Sequence, residues 1–224
     1  MNRTTRPRSA QAGTPRPGTG ATKDLFFLGG LGVPSFVFAP WFALLRWYGF
    51  RVRTVPNSFA TMDPVSTFAE SFVRFSKPFE RFDVLGVSYG GTAALYGVHL
   101  EPGLNSRIRK MVLVCAPLLG VPLLALPVAR YAPGTLRTIL EEMSPTSEVV
   151  DRIRRLGMDR KIAFELHCLY HPKDLMAPSS TATLPGAGVD HTLDFTWRVV
   201  PRCLMHQAAC VNPKTFATVL ALLR

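Results

Sequence analysis

Phe82-Asp83-Val84-Leu85-Gly86-Val87-Ser88-Tyr89-Gly90-Gly91-Thr92-Ala93-Ala94-Leu95 is the stretch whose reading decides the fold. Its first five residues, 82–86, have the character of a buried strand, and the small and apolar run of 90–99 suits a helix. Between them lies Gly-Val-Ser-Tyr-Gly, with glycine two places before and two places after Ser88. A strand that turns straight into a helix has no room for a Cβ at those two positions, and Gly86 and Gly90 satisfy that demand. The residue at the apex is held in a strained backbone conformation with its hydroxyl lifted clear of the sheet. A nearby helix N-terminus favours negative charge developing beside Ser88. The same five-residue pattern also occurs in plain loops and phosphate-binding turns. The strand on one side and the helix on the other favour an exposed nucleophile.

Outward from this stretch the chain alternates strand-like and helix-like pieces. Leu25-Phe26-Phe27-Leu28 is a continuous apolar run ending in glycines, as expected of a parallel strand buried on both faces. Residues 40–48 suit a helix stopped by Gly49, and 50–55 a strand. Asp63-Pro64 reads as the cap and first turn of a helix carrying Phe68, Phe72 and Phe75 on one face. Further strands are expected at 110–115, 163–170 and 193–200. Asn212-Pro213 caps a final helix with Phe216, Val219, Leu220 and Leu223 as its apolar positions. This order predicts an α/β fold with a mainly parallel sheet.

The chain has 224 residues, enough for one core. Residues 1–22 contain no Leu, Ile, Val, Phe or Trp and read as a disordered basic tail before a single domain over 23–224. That tail holds Arg3, Arg6, Arg8 and Arg16, and with Lys23 accounts for much of the net charge of +11. A second basic group lies at Arg152, Arg154 and Arg155. No zinc-finger, RNP or basic-zipper pattern accompanies them, so a specific nucleic-acid partner is not expected. Peripheral contact with an anionic membrane is the expectation instead.

Two uncharged windows, 25–45 and 111–129, are long enough to raise the question of a membrane span. Glycines and prolines interrupt both, at 29, 30, 32, 34 and 40 and at 117, 120, 122 and 127. Each reads better as a buried strand, a loop and an apolar helix. No secretory signal is visible. The four cysteines form no CxxC pair. Cys115 and Cys168 are expected as buried free thiols, and Cys203 could pair with Cys210 only if the loop between them folds back. A reducing, cytoplasmic setting is the expectation.

With these elements in place the chain resembles the α/β-hydrolase superfamily, and its lipase- and esterase-like branch, from about Asp24 to the C-terminus. The resemblance implies a serine hydrolase. Ser88 is the implied nucleophile, and the Tyr89 N–H one donor to the oxyanion. Gly29-Gly30-Leu31 corresponds to the His-Gly-X loop after the first buried strand, so Leu31 N–H is the second implied donor. Glycine stands at 29 where the family usually has histidine.

The turn His171-Pro172-Lys173-Asp174-Leu175-Met176-Ala177-Pro178 resembles the acid-bearing turn, which makes Asp174 the implied acid, with Asp190 and Asp194 in reserve. His206, ahead of the final helix, matches the base on the loop that precedes that helix. His191 is its competitor, and the glycine common before the base is missing. Residues 117–161 are similar to the family's cap or lid region, with a hydrophobic helix packed on the sheet as the alternative reading.

The implied chemistry is cleavage of a carboxylic, lipid or acyl ester through an acyl-enzyme on Ser88, with no metal or organic cofactor. Two alternatives stay open. One is an acyltransferase or thioesterase using the same site, and the other an inactive hydrolase fold that serves as a binding protein.

Overall fold

A computed structural model describes residues 22–56, 63–122, 131–195 and 204–224. The elements run β1 (Lys23–Leu28), α1 (Ala39–Trp47), β2 (Phe50–Thr54), α2 (Val65–Ser76), β3 (Phe82–Val87), α3 (Tyr89–Leu100), α4 (Leu104–Arg107) and β4 (Ile108–Val114). They continue with α5 (Gly134–Glu142), α6 (Glu148–Met158), β5 (Glu165–Tyr170), α7 (Ser179–Ala182), β6 (Val189–Thr192), α8 (Met205–Val211) and α9 (Pro213–Leu223). The six strands form one parallel sheet in the order β2-β1-β3-β4-β5-β6. The order reverses between β1 and β3. In open α/β sheets the crevice beyond the strand C-termini at such a reversal is where ligands bind.

Alternation along each strand sorts side chains to the two faces. Phe26 and Leu28 join Val84, Met111 and Leu113 in a core covered by α2, α3, α5 and α6. Leu25 and Phe27 join Leu85, Val87, Val112 and Val114 in a second core under α1, α8 and α9. Phe26 meets Phe72, Phe79 and Phe82 edge-on, with ring centroids 6.0, 5.1 and 4.9 Å apart.

Helices α5 and α6 belong to the segment 117–161. Ile139, Val149, Ile153 and Leu156 send that segment's apolar stripe into the first core, beside α3. The basic group on α6 is paired with acids on the same helix: Arg152 with Glu148, and Arg154 and Arg155 with Asp151. Three arginines share two carboxylates, so most of the charge of this basic group is balanced on its own helix.

Several expectations change. Pro64 is extended (φ −53°, ψ 156°), so α2 begins at Val65 and the Asp63 side chain does not cap it. Phe68 and Phe72 are fully buried, whereas Phe75 is 44% exposed and turns away from their face. The last strand is Val189–Thr192, while Leu193–Phe195 is irregular and 196–200 lies outside the described residues.

Asn212 caps α9 as expected, its side chain accepting from Lys214 N–H at 2.8 Å. Cys115, Cys168 and Cys210 are buried free thiols; Cys203, the partner considered for Cys210, lies outside the described residues. No helix of the described residues is long and apolar enough to cross a membrane. The tail at 1–21 lies outside them too.

Candidate active site

Ser88 stands between β3 and α3 at φ 52° and ψ −125°, a conformation that L residues other than glycine seldom adopt. The glycines around it are there for want of space. A Cβ on Gly86 would lie 2.6 Å from Gly91 Cα, and one on Gly91 would lie 2.5 Å from Ala116 Cβ. A Cβ on Gly90 would overlap the Leu28 carbonyl oxygen and lie 2.5 Å from Gly29 O.

All three clashes involve backbone or a packed methyl, which cannot swing aside. Gly90→Ala is therefore expected to destabilise the protein by roughly 3 kcal/mol and lower its Tm by about 6–12 °C, read by thermal unfolding. An unchanged Tm would contradict the tight elbow.

The serine is fixed from both sides. Its N–H donates to Val114 O at 2.8 Å, and its C=O accepts from Gly91 N–H at 2.9 Å. The Tyr89 side chain is buried in the first core, and its hydroxyl donates to Asp63 O at 2.7 Å. Burial pushes that phenol's pKa well above its ordinary value, so it stays neutral.

Two residues far along the chain meet Ser88. His206 Nε2 lies 2.7 Å from Ser88 Oγ, and His206 Nδ1 lies 2.7 Å from Asp174 Oδ2. Asp174 is 1% exposed, in the turn after β5, where its N–H donates to His171 O at 3.0 Å. Its other oxygen, Oδ1, accepts from Met176 N–H at 2.9 Å and Ala177 N–H at 3.0 Å.

An ionised carboxylate can only accept, so the proton of a neutral His206 sits on Nδ1. Nε2 is then left to accept from Ser88 Oγ–H. Burial alone would raise the Asp174 pKa, but the hydrogen bond and charge of His206, with the two N–H groups, hold it below its usual range. Burial alone would lower the pKa of His206, and its bond to Asp174 outweighs that and raises it.

His206 occupies the second position of α8, a helix absent from the sequence reading, and not a loop. One turn further on, the Cys210 thiol shares a hydrogen bond with Cys115, which also reaches Asp174. That bond pushes the Cys115 thiol up and, against burial, draws Cys210 down. Nothing in the sequence marks this pair, because its members are brought together only by the docking of α8 on the end of β4.

The reserve residues stand elsewhere. Asp190 and Asp194 are exposed on or beside β6. His191 Nε2 lies 3.0 Å from His167 Nδ1, and His167 Nε2 lies 2.7 Å from Glu165, at the far edge of the sheet. His171 contacts Phe195 O at 3.1 Å.

A cavity of about 570 Å³ opens at Ser88 and His206. Its walls are mostly apolar, with Leu31, Val37, Phe38, Met176, Leu204 and Val211 among them. Leu31 follows Gly30, whose α-carbon hydrogen faces Ser88 closely enough that a Cβ there would sit 3.6 Å from Ser88 Cβ. The two residues expected to supply oxyanion N–H groups, Leu31 and Tyr89, thus stand on the loop after β1 and at the start of α3. None of the described residues of 117–161, the segment expected as a cap, lines this cavity. Among the described residues no cluster of His, Cys, Asp or Glu could hold a metal ion.

By sequence, no protein-family model and no curated protein matches the chain. Its structure is similar to a metagenomic carboxyl esterase, with a TM-score of 0.63, 15% identity and coverage of 97% of this chain and 80% of that one. It is also similar to an α/β hydrolase from the sediment metagenome of the Mar Chica lagoon, Morocco, with a TM-score of 0.61, 18% identity and 90% coverage of both chains. Lipase B of Aspergillus fumigatus superposes with a TM-score of 0.60 at 14% identity over 77% of this chain; the chain spans 45% of that lipase's length. Sheet order, elbow and superpositions agree on one architecture, and this chain has the α/β-hydrolase fold.

Proposed function

We propose that this protein is a serine hydrolase that cleaves carboxylic esters of acyl chains through an acyl-enzyme on Ser88. The observation that carries the reading is the continuous hydrogen-bonded chain from Ser88 Oγ through His206 to Asp174, 2.7 Å at both links. In this reading His206 Nε2 takes the hydroxyl proton as Oγ attacks the ester carbonyl. The N–H groups of Tyr89 and Leu31 receive the oxyanion. His206 then gives the proton to the leaving alcohol and activates a water that releases the acid. Asp174 stabilises the imidazolium throughout. Ester hydrolysis is also consistent with the fold's esterase and lipase neighbours.

The apolar wall of the Ser88 cavity supports an acyl chain as the part of the substrate bound there. Its rim includes Val33, Val37, Met176, Leu204 and Val211, each between 37% and 51% exposed, with Leu175 and Phe36 close by in sequence. Such a rim suits contact with a lipid surface, and the net charge of +11 favours an anionic one.

Hydrolysis of p-nitrophenyl esters from acetate to palmitate tests the proposal. kcat/KM is expected to rise by up to about fourfold per methylene while the cavity fills, since each buried methylene contributes about 0.8 kcal/mol. Inactivity on every ester would contradict it. The pH profile follows from His206. Only the neutral imidazole accepts a proton, and its raised pKa keeps it protonated to a higher pH than an ordinary histidine. The acid limb of kcat/KM is therefore expected to have its midpoint above about 6.5, with activity lost as pH falls through it. A midpoint below that value would contradict the assignment.

A further inference from the structure

Two cysteines stand beside Asp174 and His206, and acyl transfer through Ser88 uses neither of them. Cys115 follows the last residue of β4 and is fully buried. Its N–H donates to Leu169 O at 2.7 Å, and the carbonyl of Val114 before it accepts from Ser88 N–H. Its φ of 48° lies in the left-handed region, which a residue other than glycine occupies only where its surroundings hold it.

Cys210 stands on α8 four residues after His206, on the same face of the helix. It is buried against the core, yet it forms part of the wall of the cavity that Ser88 and His206 share. Cys115 does not reach that wall, so a molecule in the cavity meets one thiol of the pair and not the other. The Cys115 S–H donates to the Cys210 sulfur and draws that thiol's pKa down against burial, and the charge of His206 acts in the same direction. The thiolate is the attacking form of cysteine, so Cys210 is prepared to react first and Cys115 to complete the bond.

From this arrangement we infer that Cys115 and Cys210 form a redox-active dithiol, a site for apolar organic hydroperoxides, whose disulfide switches ester hydrolysis off. The switch rests on the hydrolase reading of Ser88, whereas the dithiol does not. The Cys210 thiolate attacks the terminal oxygen of the hydroperoxide ROOH. The O–O bond breaks, ROH leaves with the proton that Cys210 lost, and Cys210 becomes a sulfenic acid. The Cys115 thiol then attacks that sulfur, and the sulfenic OH leaves as water with the Cys115 proton. One hydroperoxide is reduced to an alcohol and two thiols are oxidised to one disulfide. Leu31, Val37, Phe38 and Met176 belong to the same wall as Cys210, so the hydroperoxide that fits is an apolar one, such as a peroxidised acyl chain.

The consequence for hydrolysis follows from what can move. Cys115 is anchored at the end of β4 by its bond to Leu169 O, whereas Cys210 sits in a seven-residue helix without a side-chain cap. A covalent bond draws the sulfurs closer than a hydrogen bond does, so α8 shifts and takes His206 with it. The disulfide also removes the thiol hydrogen through which Cys115 reaches Asp174. A displacement of about 1 Å in such a centre costs on the order of 10²-fold in rate.

The full chain, reduced beforehand, is treated with cumene hydroperoxide or hydrogen peroxide, digested without reductant and mapped by mass spectrometry. Hydrolysis of p-nitrophenyl butyrate and fluorophosphonate labelling of Ser88 are read before oxidation, after it, and after dithiothreitol. A peptide pair joined through Cys115 and Cys210 is expected. It forms faster with cumene hydroperoxide than with hydrogen peroxide once each is scaled to its rate with free cysteine. kcat/KM is expected to fall about 100-fold as the disulfide forms and to return with dithiothreitol. Dithiothreitol does not restore an oxidised Met176, so the recovery separates the two lesions.

In Cys210→Ser, measured against its own unoxidised activity, the recoverable loss is expected to vanish; the wild-type peptide map carries the test should that variant fail to fold. Absence of the joined peptides, or a disulfide of Cys210 with Cys203 instead, overturns the dithiol. Oxidation no faster with cumene hydroperoxide overturns the preference for an apolar oxidant. A Cys115–Cys210 disulfide that leaves kcat/KM unchanged overturns the switch. A reduced protein that neither hydrolyses the ester nor labels at Ser88 overturns the hydrolase reading and the switch with it, while the peptide map still decides the dithiol.

Discussion

Replacing Ser88 by alanine is expected to lower kcat for ester hydrolysis on the order of 10⁶-fold, leaving the slow background of a bound ester in water. The loss is large because no other group can take over. Ser88 Oγ is the hydroxyl that faces His206 Nε2, at 2.7 Å, in the cavity they share. Alanine keeps the Cβ and is smaller, so packing at the elbow is undisturbed. It also relieves none of the glycine contacts at 86, 90 and 91, which belong to the turn itself. The Tm of Ser88→Ala is thus expected to stay within a few degrees of wild type. Steady-state hydrolysis of p-nitrophenyl butyrate, with thermal unfolding alongside, checks both halves. Residual activity within tenfold of wild type would show that another residue carries the reaction.

The second large effect is expected at Asp174→Asn, about 10⁴-fold in kcat. Asp174 Oδ1 accepts two backbone N–H groups, from Met176 and Ala177, while Oδ2 faces His206 Nδ1. An asparagine in the same place keeps its oxygen on those two N–H donors and turns its NH₂ toward the histidine. The imidazole must then accept at Nδ1 and carry its proton on Nε2, where it faces Ser88 as a donor. It can no longer take the hydroxyl proton.

The pH profile separates this from a mere loss of structure. The bond to Asp174 raises the pKa of His206 against the opposing effect of burial. With that carboxylate removed, the pKa falls, and the acid limb of the remaining activity moves to lower pH. An acid limb that stays in place would contradict the role given to Asp174.

How much of this could be read from the sequence differs from element to element, for physical reasons. β1, β3 and β4 are buried on both faces, so their side chains form apolar runs that stand out from the turns beside them. The elbow was legible because steric exclusion at Gly86, Gly90 and Gly91 leaves a mark in residue type. β6 was misplaced by several residues. It is a short edge strand, and its Val-Asp-His-Thr sequence is largely exposed, so it has no apolar run, whereas the apolar residues after it drew the strand toward 193–200.

α8 was missed because it has seven residues and no cap residue, and it owes its place to packing of Met205, Ala209 and Cys210 against the sheet. Its presence moves His206 from a loop to the first turn of a helix without taking it from Ser88. Asp174 and His206 were found through a resemblance of short turns; no local pattern says that residues 32 apart will share a hydrogen bond. The helices of 117–161 had two possible faces to cover, and the sequence alone could not say that Val149, Ile153 and Leu156 turn into the core beside α3.

Covalent labelling tests most directly whether Ser88 is an activated nucleophile. The full chain is treated with a fluorophosphonate probe and its intact mass and labelled peptide are read, for wild type and Ser88→Ala. One phosphonyl group per chain is expected on Ser88 in wild type and none in Ser88→Ala. A folded wild-type protein that takes up no label, or takes it up at another residue, would contradict it.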